Sequence, residues 1–179
     1  MNQPPGKTEN PVYTMRPRTQ IPASWPDPPF NIVLVEPEIP QNTGNIARLC
    51  AATGTVLNLI EPLGFRMTDR EVKRAGLDYW NAVEIRRFPN FEKFEEEFGG
   101  GHRKFFFSTS GTKSYVQAEY RPGDCLIFGS ESRGLPPDLL ERHTDDIYNI
   151  PMKLNHVRSL NLANAASIVL YEALHRCNE

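Results

Sequence analysis

Short apolar runs alternate with longer amphipathic stretches along most of this chain. Six runs are short and rich in β-branched or aromatic residues, which predicts strands at 30–35, 55–60, 82–88, 104–109, 124–128 and 147–150. Between them, apolar positions at helical spacing predict helices at 42–53, 68–75, 91–98 and 159–175. Strands that alternate with helices indicate an α/β fold, a mostly parallel sheet with helices on both faces.

Polar residues and glycines mark the expected ends of these helices. Asn42 or Thr43 is placed to cap the first helix, and Gly54 stands where a left-handed residue commonly ends one. Asn90 is the expected cap of the helix that begins at Phe91. These signals set the helix boundaries given above.

The first 29 residues differ from the rest of the chain. They hold eight of the sixteen prolines and show almost no periodic apolar pattern, so we expect a disordered or extended tail over 1–29. The remaining residues are enough for one compact core and too few for two. A single domain is therefore expected at 30–179.

Composition narrows the class of protein. A net charge of −2 and a pI near 6.1 argue against indiscriminate binding to nucleic acid, although basic residues crowd the middle of the chain. No apolar run approaches the roughly twenty residues that span a bilayer. Three widely spaced cysteines form neither a zinc motif nor a disulfide framework, and no secretory signal is recognisable. We expect free thiols, no membrane partner and a cytoplasmic location.

The first candidate site follows the first predicted strand, over residues 36–48. Pro37 and Pro40 hold the chain extended before the helix. Arg48 projects away from the apolar stripe of that helix, at the carboxyl end of a parallel strand, where open α/β sheets bind ligands. The alternative is that Arg48 is a solvated surface residue and Asn42 only a helix cap, and this stretch alone leaves both open.

Two further motifs lie near the carboxyl ends of later strands. The fifth strand runs into residues 129–135, where Gly129 and Gly134 permit close approach of backbone to a ligand and enclose Glu131. This loop is neither a dinucleotide-binding fingerprint nor a phosphate-binding P-loop. The last helix begins near Ser159 and Asn161, and helix capping requires only one of these two side chains.

In this order the three motifs resemble those of the SpoU branch of the SPOUT methyltransferases. The resemblance covers about residues 30–175 and rests on residues 42–48, 129–135 and 158–162. Residues 74–79 are similar to a segment of the small, single-domain enzymes that methylate the ribose of the tRNA wobble nucleotide. The loop at 153–157 is one residue longer than is usual in that group.

The resemblance implies a domain whose carboxyl-terminal part forms a deep trefoil knot, an exception to the rule against knots. It implies S-adenosylmethionine as methyl donor with S-adenosylhomocysteine as product, no metal, a homodimer, and the anticodon stem-loop of tRNA as partner. The implied catalytic residues are Arg48, Asn42, Glu131, Ser159 and Asn161. The implied cofactor-binding residues are Phe107, Thr109, Gly111, Gly129, Glu131, Gly134, Ile150, Met152, Ser159 and Leu160.

Several alternatives stay open on the sequence. The enzyme could act on another tRNA position or on ribosomal RNA, or the chain could be a non-catalytic RNA-binding relative or a generic nucleotide-binding protein. The family's arginine is proposed as a base, yet a guanidinium keeps its proton in proteins. We therefore expect Arg48 to bind the adjacent phosphate and orient the hydroxyl, and the sequence does not decide between these roles.

Overall fold

The computed structural model describes residues 24–66, 82–98, 101–153 and 156–178. The predicted helix at 68–75 and the family segment at 74–79 lie outside these ranges. The described helices are α1 (Pro40–Thr53), α2 (Phe91–Phe98), α3 (Pro137–Arg142) and α4 (Leu162–Arg176). Within the described ranges, no helix is long and apolar enough to cross a bilayer.

Seven strands within the described residues form one sheet. They are β1 (Asn31–Val35), β2 (Val56–Ile60), β3 (Ile85–Phe88), β4 (Lys104–Phe107), β5 (Lys113–Ser114), β6 (Cys125–Phe128) and β7 (Ile147–Asn149). Their order is β3-β2-β1-β6-β4-β7-β5, and every neighbouring pair is parallel. The expected mostly parallel sheet is confirmed, with strands shorter than predicted. The pattern missed β5 and α3, which are too short to show a period.

Alternate residues of the central strands face opposite sides of the sheet and form two cores. Ile32 and Leu34 lie in a core that includes α1 and α4, whereas Val33 and Val35 lie in a core that includes α2 and α3. Burial on both faces explains the nearly continuous apolar runs in the sequence. The prediction of helices on both faces is confirmed.

The start of α1 differs from the prediction. Gly54 ends the helix with φ 70° and donates its N–H to Cys50, as expected. The predicted cap at Asn42 or Thr43 is wrong, because Ile39 is the residue before the helix and makes no side-chain cap bond. Pro40 begins the helix instead, since its fixed φ suits that position and its missing N–H needs no partner.

The start of α4 also lies later than predicted. The helix begins at Leu162 rather than Ser159, and Asn161 Oδ1 caps it by accepting from the N–H groups of Ala163 at 2.9 Å and Asn164 at 3.3 Å. The analogous cap at Asn90 is confirmed by the 2.9 Å bond from the N–H of Lys93. Asparagine side chains therefore cap α2 and α4, whereas α1 begins at Pro40 without a side-chain cap of its own.

The segment that precedes β1 is bonded to the end of α4. Ser24 donates its N–H to Asn178 Oδ1 at 3.1 Å, and Asn178 Nδ2 donates to the Ser24 carbonyl at 3.1 Å. Asn178 Nδ2 also donates to the Leu174 carbonyl of α4 at 2.7 Å. Ser24, the first residue that the structure describes, is therefore already bonded to a distant part of the chain.

Candidate active site

The connections that leave β1 and β6 face each other at the carboxyl edge of the sheet, and the position between them is called the crevice below. These strands are neighbours, but the chain passes from β1 to α1 on one face and from β6 to α3 on the other. Such a switch point is where open α/β sheets bind ligands. The loops 36–39 and 129–135 form the two sides of the crevice.

Glu131 joins the two sides. Its Oε2 accepts the N–H of Glu38 at 2.7 Å, and its Oε1 accepts the N–H of Ile39 at 3.2 Å and Asn42 Nδ2 at 2.8 Å. The carboxylate thus lies at the amino-terminal end of α1, where the helix dipole favours negative charge. This accounts for an acidic residue in the middle of a glycine-bounded turn, and for a helix start without a cap of its own.

Asn42 extends this connection to the third motif. Asn161 Nδ2 donates to Asn42 Oδ1 at 2.9 Å, so a continuous hydrogen-bonded chain runs from Glu131 through Asn42 to Asn161. Asn42 is only 5% exposed, and both ends of its amide are engaged. Three of the five predicted catalytic residues therefore meet, although they come from three separate parts of the sequence.

Arg48 and Ser159, the other two predicted catalytic residues, are both exposed. Arg48 follows Asn42 by six residues on α1, which places it about 9 Å farther along the helix axis and on another side. Ser159 precedes α4 and is not its cap. The structure therefore distinguishes a hydrogen-bonded group, Glu131–Asn42–Asn161, in which Asn42 is buried and Glu131 half-buried, from Arg48 and Ser159, whose exposed side chains lie outside that group.

The glycines of the 129–135 loop have a structural explanation. A Cβ on Gly129 would lie 2.0 Å from the carbonyl carbon of Gly134, and Gly134 has φ +73°. Ser130 and Gly134 exchange two backbone hydrogen bonds, of 3.1 and 2.9 Å, that close the turn. The turn itself thus requires both glycines, and their spacing alone does not indicate a ligand.

A cavity of about 470 Å³ opens beside the crevice, at the carboxyl ends of β4 and β7. The predicted cofactor residues Thr109, Gly111 and Met152 line it. Lining residues that the sequence did not indicate are Thr112, Lys113, Ser114, Asn149, Pro151, Lys153, Val157 and Arg158. The lining does not include the other predicted residues, namely Phe107, Gly129, Glu131, Gly134, Ile150, Ser159 and Leu160.

Asn149 forms hydrogen bonds between two walls of the cavity. Its Nδ2 donates to the carbonyls of Thr109 at 3.0 Å and Gly111 at 3.3 Å, which joins the loop after β4 to the end of β7. A Cβ on Gly111 would lie 2.6 Å from the carbonyl carbon of Tyr148, so only glycine allows this approach. These contacts fix the loop after β4 against the end of β7, on one side of the cavity.

Positive side chains surround the cavity. Lys113, Lys153 and Arg158 line it, and Lys113 also lies over the ring of Tyr148 and bonds to the Asp145 carbonyl. Burial raises the pKa of Tyr148, so its hydroxyl stays protonated near neutral pH. The lysine and arginine side chains give the cavity wall a local positive charge. No sequence signal marked Lys113, because β5 has only two residues.

The cysteines are poor candidates for nucleophilic chemistry. All three are free, as expected, and Cys50 and Cys125 are buried. Burial raises the pKa of Cys125 to about 12 and also raises that of Cys50, which keeps both as thiols. Among the described residues, no three His, Cys, Asp or Glu side chains are grouped as a metal site.

Comparison with known proteins identifies relatives that match nearly the whole domain. Residues 29–171 match the SpoU rRNA Methylase family. The tRNA (cytidine(34)-2'-O)-methyltransferase of Saccharophagus degradans is 50% identical over 145 residues, 80% of this chain and 93% of that protein. The protein of the same name from an Acidovorax species is 49% identical over 146 residues, 80% of this chain and 90% of that protein.

Solved structures agree with these sequence matches. One, from work on the 2-OH methylation of C/U34 on tRNA, has a TM-score of 0.77 at 48% identity and covers 82% of this chain and 95% of that one. An AdoMet-bound rRNA methyltransferase from Sinorhizobium meliloti has a TM-score of 0.72 at 28% identity, covering 82% of this chain and 56% of that one. The chain therefore belongs to the SpoU methylase family.

Proposed function

We propose that this protein transfers a methyl group from S-adenosylmethionine to the ribose 2'-hydroxyl of the wobble nucleotide, position 34, of tRNA. The base there would be cytidine or carboxymethylaminomethyl-uridine. The observation that carries the proposal is the hydrogen-bonded chain Glu131–Asn42–Asn161, which joins the three family motifs beside a cavity. Relatives about half identical to this chain bear the name of that activity.

The cavity suits the proposed cofactor. Its volume of about 470 Å³ falls within the roughly 300–1,000 Å³ of typical small-molecule sites. Amide, hydroxyl and cationic side chains alternate there with Met152, Pro151 and Val157, which matches a ligand that combines an adenosine with a charged amino acid. When bound, the cofactor supplies an activated methyl group on a sulfonium.

Thr109, Gly111 and Met152 would hold the cofactor first, because they line the cavity. The proposal extends the binding site to the neighbouring residues expected from the family. These are Phe107, Gly129, Glu131, Gly134, Ile150, Ser159 and Leu160.

The chain's own groups would position the reacting ribose. Glu131, Asn42 and Asn161 hold the crevice loops in register, so we assign them a positioning role. Arg48 and Ser159 are exposed and can touch the RNA. Because a guanidinium keeps its proton, Arg48 would bind the adjacent phosphate with two parallel bonds and hold the hydroxyl for in-line attack.

The proposed enzyme is a homodimer that binds the anticodon stem-loop and completes its active site across the subunit interface. The alanine-rich stripe of α4 does not support this, because Ala166 and Ala173 are buried against the chain's own sheet. Support comes from the opposite face of the helix, where Ile168 is 37% and Tyr171 56% exposed. Two apolar side chains one turn apart favour contact with a second copy.

Other parts of the proposal concern the molecule as a whole. Family membership supports a deep trefoil knot in the carboxyl-terminal part of the domain 30–179, with 1–29 as an accessory tail. Three free cysteines suit the reducing cytoplasm, where the tRNA substrate would be met.

The test is nucleoside mass spectrometry of tRNA. The purified protein, S-adenosylmethionine and tRNA from cells that lack the protein should give 2'-O-methylation at position 34. The same tRNA with a 2'-deoxy nucleotide at that position should give none. Methylation elsewhere in tRNA, or in ribosomal RNA, would redirect the proposal to another substrate. Failure to bind S-adenosylmethionine by calorimetry would favour a non-catalytic RNA-binding protein.

A further inference from the structure

The two sides of the crevice are bonded in both directions. Glu131 accepts the N–H of Glu38, as described above, and the Glu38 carboxylate accepts from Ser132 in return. Glu38 Oε2 accepts the Ser132 N–H at 3.0 Å, and Oε1 accepts the Ser132 hydroxyl at 2.7 Å. Two adjacent residues of one loop, 131 and 132, therefore bind the backbone and side chain of a single residue on the other.

These bonds differ from an ordinary surface ion pair. A carboxylate that accepts from N–H or O–H makes a charge-assisted bond about twice as strong as a neutral one. The Glu38 side chain is 30% exposed, so solvent screens it only in part. Its partner Ser132 lies in the turn closed by Ser130 and Gly134 and therefore has little freedom to follow if Glu38 moves.

The backbone on the Glu38 side also needs support. Glu36, two residues earlier, has φ 51°, a left-handed conformation that is uncommon for a residue other than glycine. Arg133, next to Ser132, lies 3.3 Å from the Glu36 carboxylate and 3.9 Å from that of Glu38. The 131–133 segment thus contacts the β1–α1 loop at this strained residue and at the residues that follow it.

We propose that Glu38 is a positioning residue for methyl transfer. By holding Ser132, it keeps the neighbouring Glu131 at the start of α1, where Glu131 orients Asn42 and, through it, Asn161. Glu38 does not line the cavity and is not part of the Glu131–Asn42–Asn161 chain. This inference rests on the proposed function for its effect on rate, whereas the loop geometry that it predicts can be tested separately.

Three variants of the full-length protein separate the effect of side-chain length at position 38 from the effect of its charge. Glu38→Gln keeps both bonds, because its amide oxygen can accept the Ser132 N–H while its NH₂ donates to the Ser132 hydroxyl. Glu38→Asp keeps the charge, but its carboxylate is one methylene too short to reach. Glu38→Ala removes both. The matched control is Glu96→Ala, which removes an exposed carboxylate paired with Lys93 on α2, on the other face of the sheet.

We expect kcat for tRNA methylation to fall about tenfold or more in Glu38→Ala and Glu38→Asp, with KM for tRNA and affinity for S-adenosylmethionine within about twofold. Glu38→Gln should keep most of the parental kcat, because it retains both bonds without the charge, and Glu96→Ala should match the parent. A parental kcat in Glu38→Asp would overturn the proposal, since reach would then be irrelevant. A fall in Glu38→Gln equal to that in Glu38→Ala would also overturn it, because charge rather than bonding would be the cause.

Hydrogen exchange measured by NMR tests the same inference without enzymatic turnover. The N–H groups of residues 38 and 39 are donated to Glu131, so they should exchange faster in Glu38→Asp than in the parent or in Glu38→Gln. Unchanged exchange would overturn the proposal even if rates fell. If the parent methylates no tRNA, the proposed function fails, and the exchange result still decides whether Glu38 positions Glu131.

Discussion

At the scale of single residues, the structure divides the five predicted catalytic side chains into two kinds. Asn42, Glu131 and Asn161 hydrogen-bond to each other and to backbone groups, whereas Arg48 and Ser159 are exposed and lie outside this chain of bonds. In the proposed function, the first kind positions the loops and the second contacts the RNA. Substitutions should therefore affect stability and rate in different proportions for the two kinds.

Replacing Arg48 should affect the rate and hardly the fold. The residue is on the surface, where most substitutions change the free energy of unfolding by under about 0.5 kcal/mol. Arg48→Ala should keep the melting temperature and the affinity for S-adenosylmethionine, while methyl transfer to tRNA falls by orders of magnitude. Arg48→Lys should restore little, because an ammonium cannot bind phosphate in the two-pronged way of a guanidinium. Parental rates in Arg48→Ala would make the residue ordinary helix surface.

Replacing Asn161 should change stability and methylation activity separately, because its side chain makes two kinds of hydrogen bond. Oδ1 caps α4, and Nδ2 donates to Asn42. Asn161→Ser keeps a capping oxygen but is too short to reach Asn42, whereas Asn161→Ala loses both. We expect Asn161→Ala to be less stable than Asn161→Ser by about 1 kcal/mol in urea denaturation. Both should lose methylation activity to a similar degree, and an active Asn161→Ser would show that only the cap matters.

At the scale of elements, the sequence predicted the long helices and strands with a clear apolar period. It did not predict which groups hydrogen-bond to the backbone at the ends of these elements. The apolar stripe of α1 and its end at Gly54 were visible, because period and glycine are local signals. The hydrogen-bond partner of Ile39 and Asn42 was not visible in the sequence, because that partner, Glu131, lies about ninety residues farther along the chain. The predicted cap at Asn42 failed for this reason: a carboxylate from another loop occupies the start of the helix.

The same limit applies to the candidate site. Glycine spacing drew attention to the loop 129–135, yet the loop's own closure explains Gly129 and Gly134. Lys113 lies in a strand of two residues that leaves no pattern in the sequence, and Asn149, although inside the predicted strand 147–150, was not indicated as part of a site. Motifs thus located the edge of the sheet where the site lies, while the contacts there depend on tertiary packing.

The junction of α2, α3 and β4 should make stability depend on pH. His143 ends α3, stacks on Phe106 and lies 3.6 Å from Glu95 of α2. Burial lowers the pKa of His143 from its ordinary value of 6.5, although Glu95 acts in the opposite direction. The unfolded chain therefore takes up the proton first, so this contribution to stability is complete above pH 6.5 and declines as the pH falls below it.

Urea denaturation between pH 5 and 8 checks this expectation. His143→Phe keeps a ring against Phe106 without a titrating group and should flatten the decline below about pH 6.5. Glu95→Gln removes the group that raises the pKa, so the decline should steepen. An identical pH profile for the parent and His143→Phe would show that other groups account for any acid destabilisation.

At the scale of the whole molecule, the contacts of Ser24 modify what the sequence suggested about the tail. Composition alone favoured the view that everything before residue 29 is dispensable. A chain that starts at Ser24 keeps the bonds between Ser24 and Asn178, so it should melt at a higher temperature than a chain that starts at Pro29. The chain that starts at Pro29 should be less stable by about 1–3 kcal/mol, since it loses two bonds of roughly 0.5–1.5 kcal/mol each.

Calorimetric melting of the two truncations measures the difference. Asn178→Ala in the full chain removes the same bonds to Ser24 and also the bond to the Leu174 carbonyl, so it should lose at least as much stability as the chain that starts at Pro29. Both truncations should bind S-adenosylmethionine like the parent, because the cavity lies at the carboxyl edge of the sheet, among residues 109–158. Equal melting of both truncations would mean that the Ser24 bonds contribute nothing measurable.

The last prediction concerns assembly. Ile168 and Tyr171 leave an apolar face on α4, which packs beside α1, the helix that bears Arg48. A second copy on this face would bury the two side chains and bring a partner's Arg48 close to the opposite site. Light scattering should give a dimer at micromolar concentration, and Ile168→Glu with Tyr171→Glu should give a folded monomer with little activity.

Mixing inactive variants tests whether the active site is shared. Arg48→Ala mixed with the monomeric variant should restore no activity, because the two variants cannot form a dimer. Arg48→Ala mixed with Ser159→Ala should restore part of the activity if sites are shared. A parental protein that scatters as a monomer would remove the shared site and leave each chain to act alone.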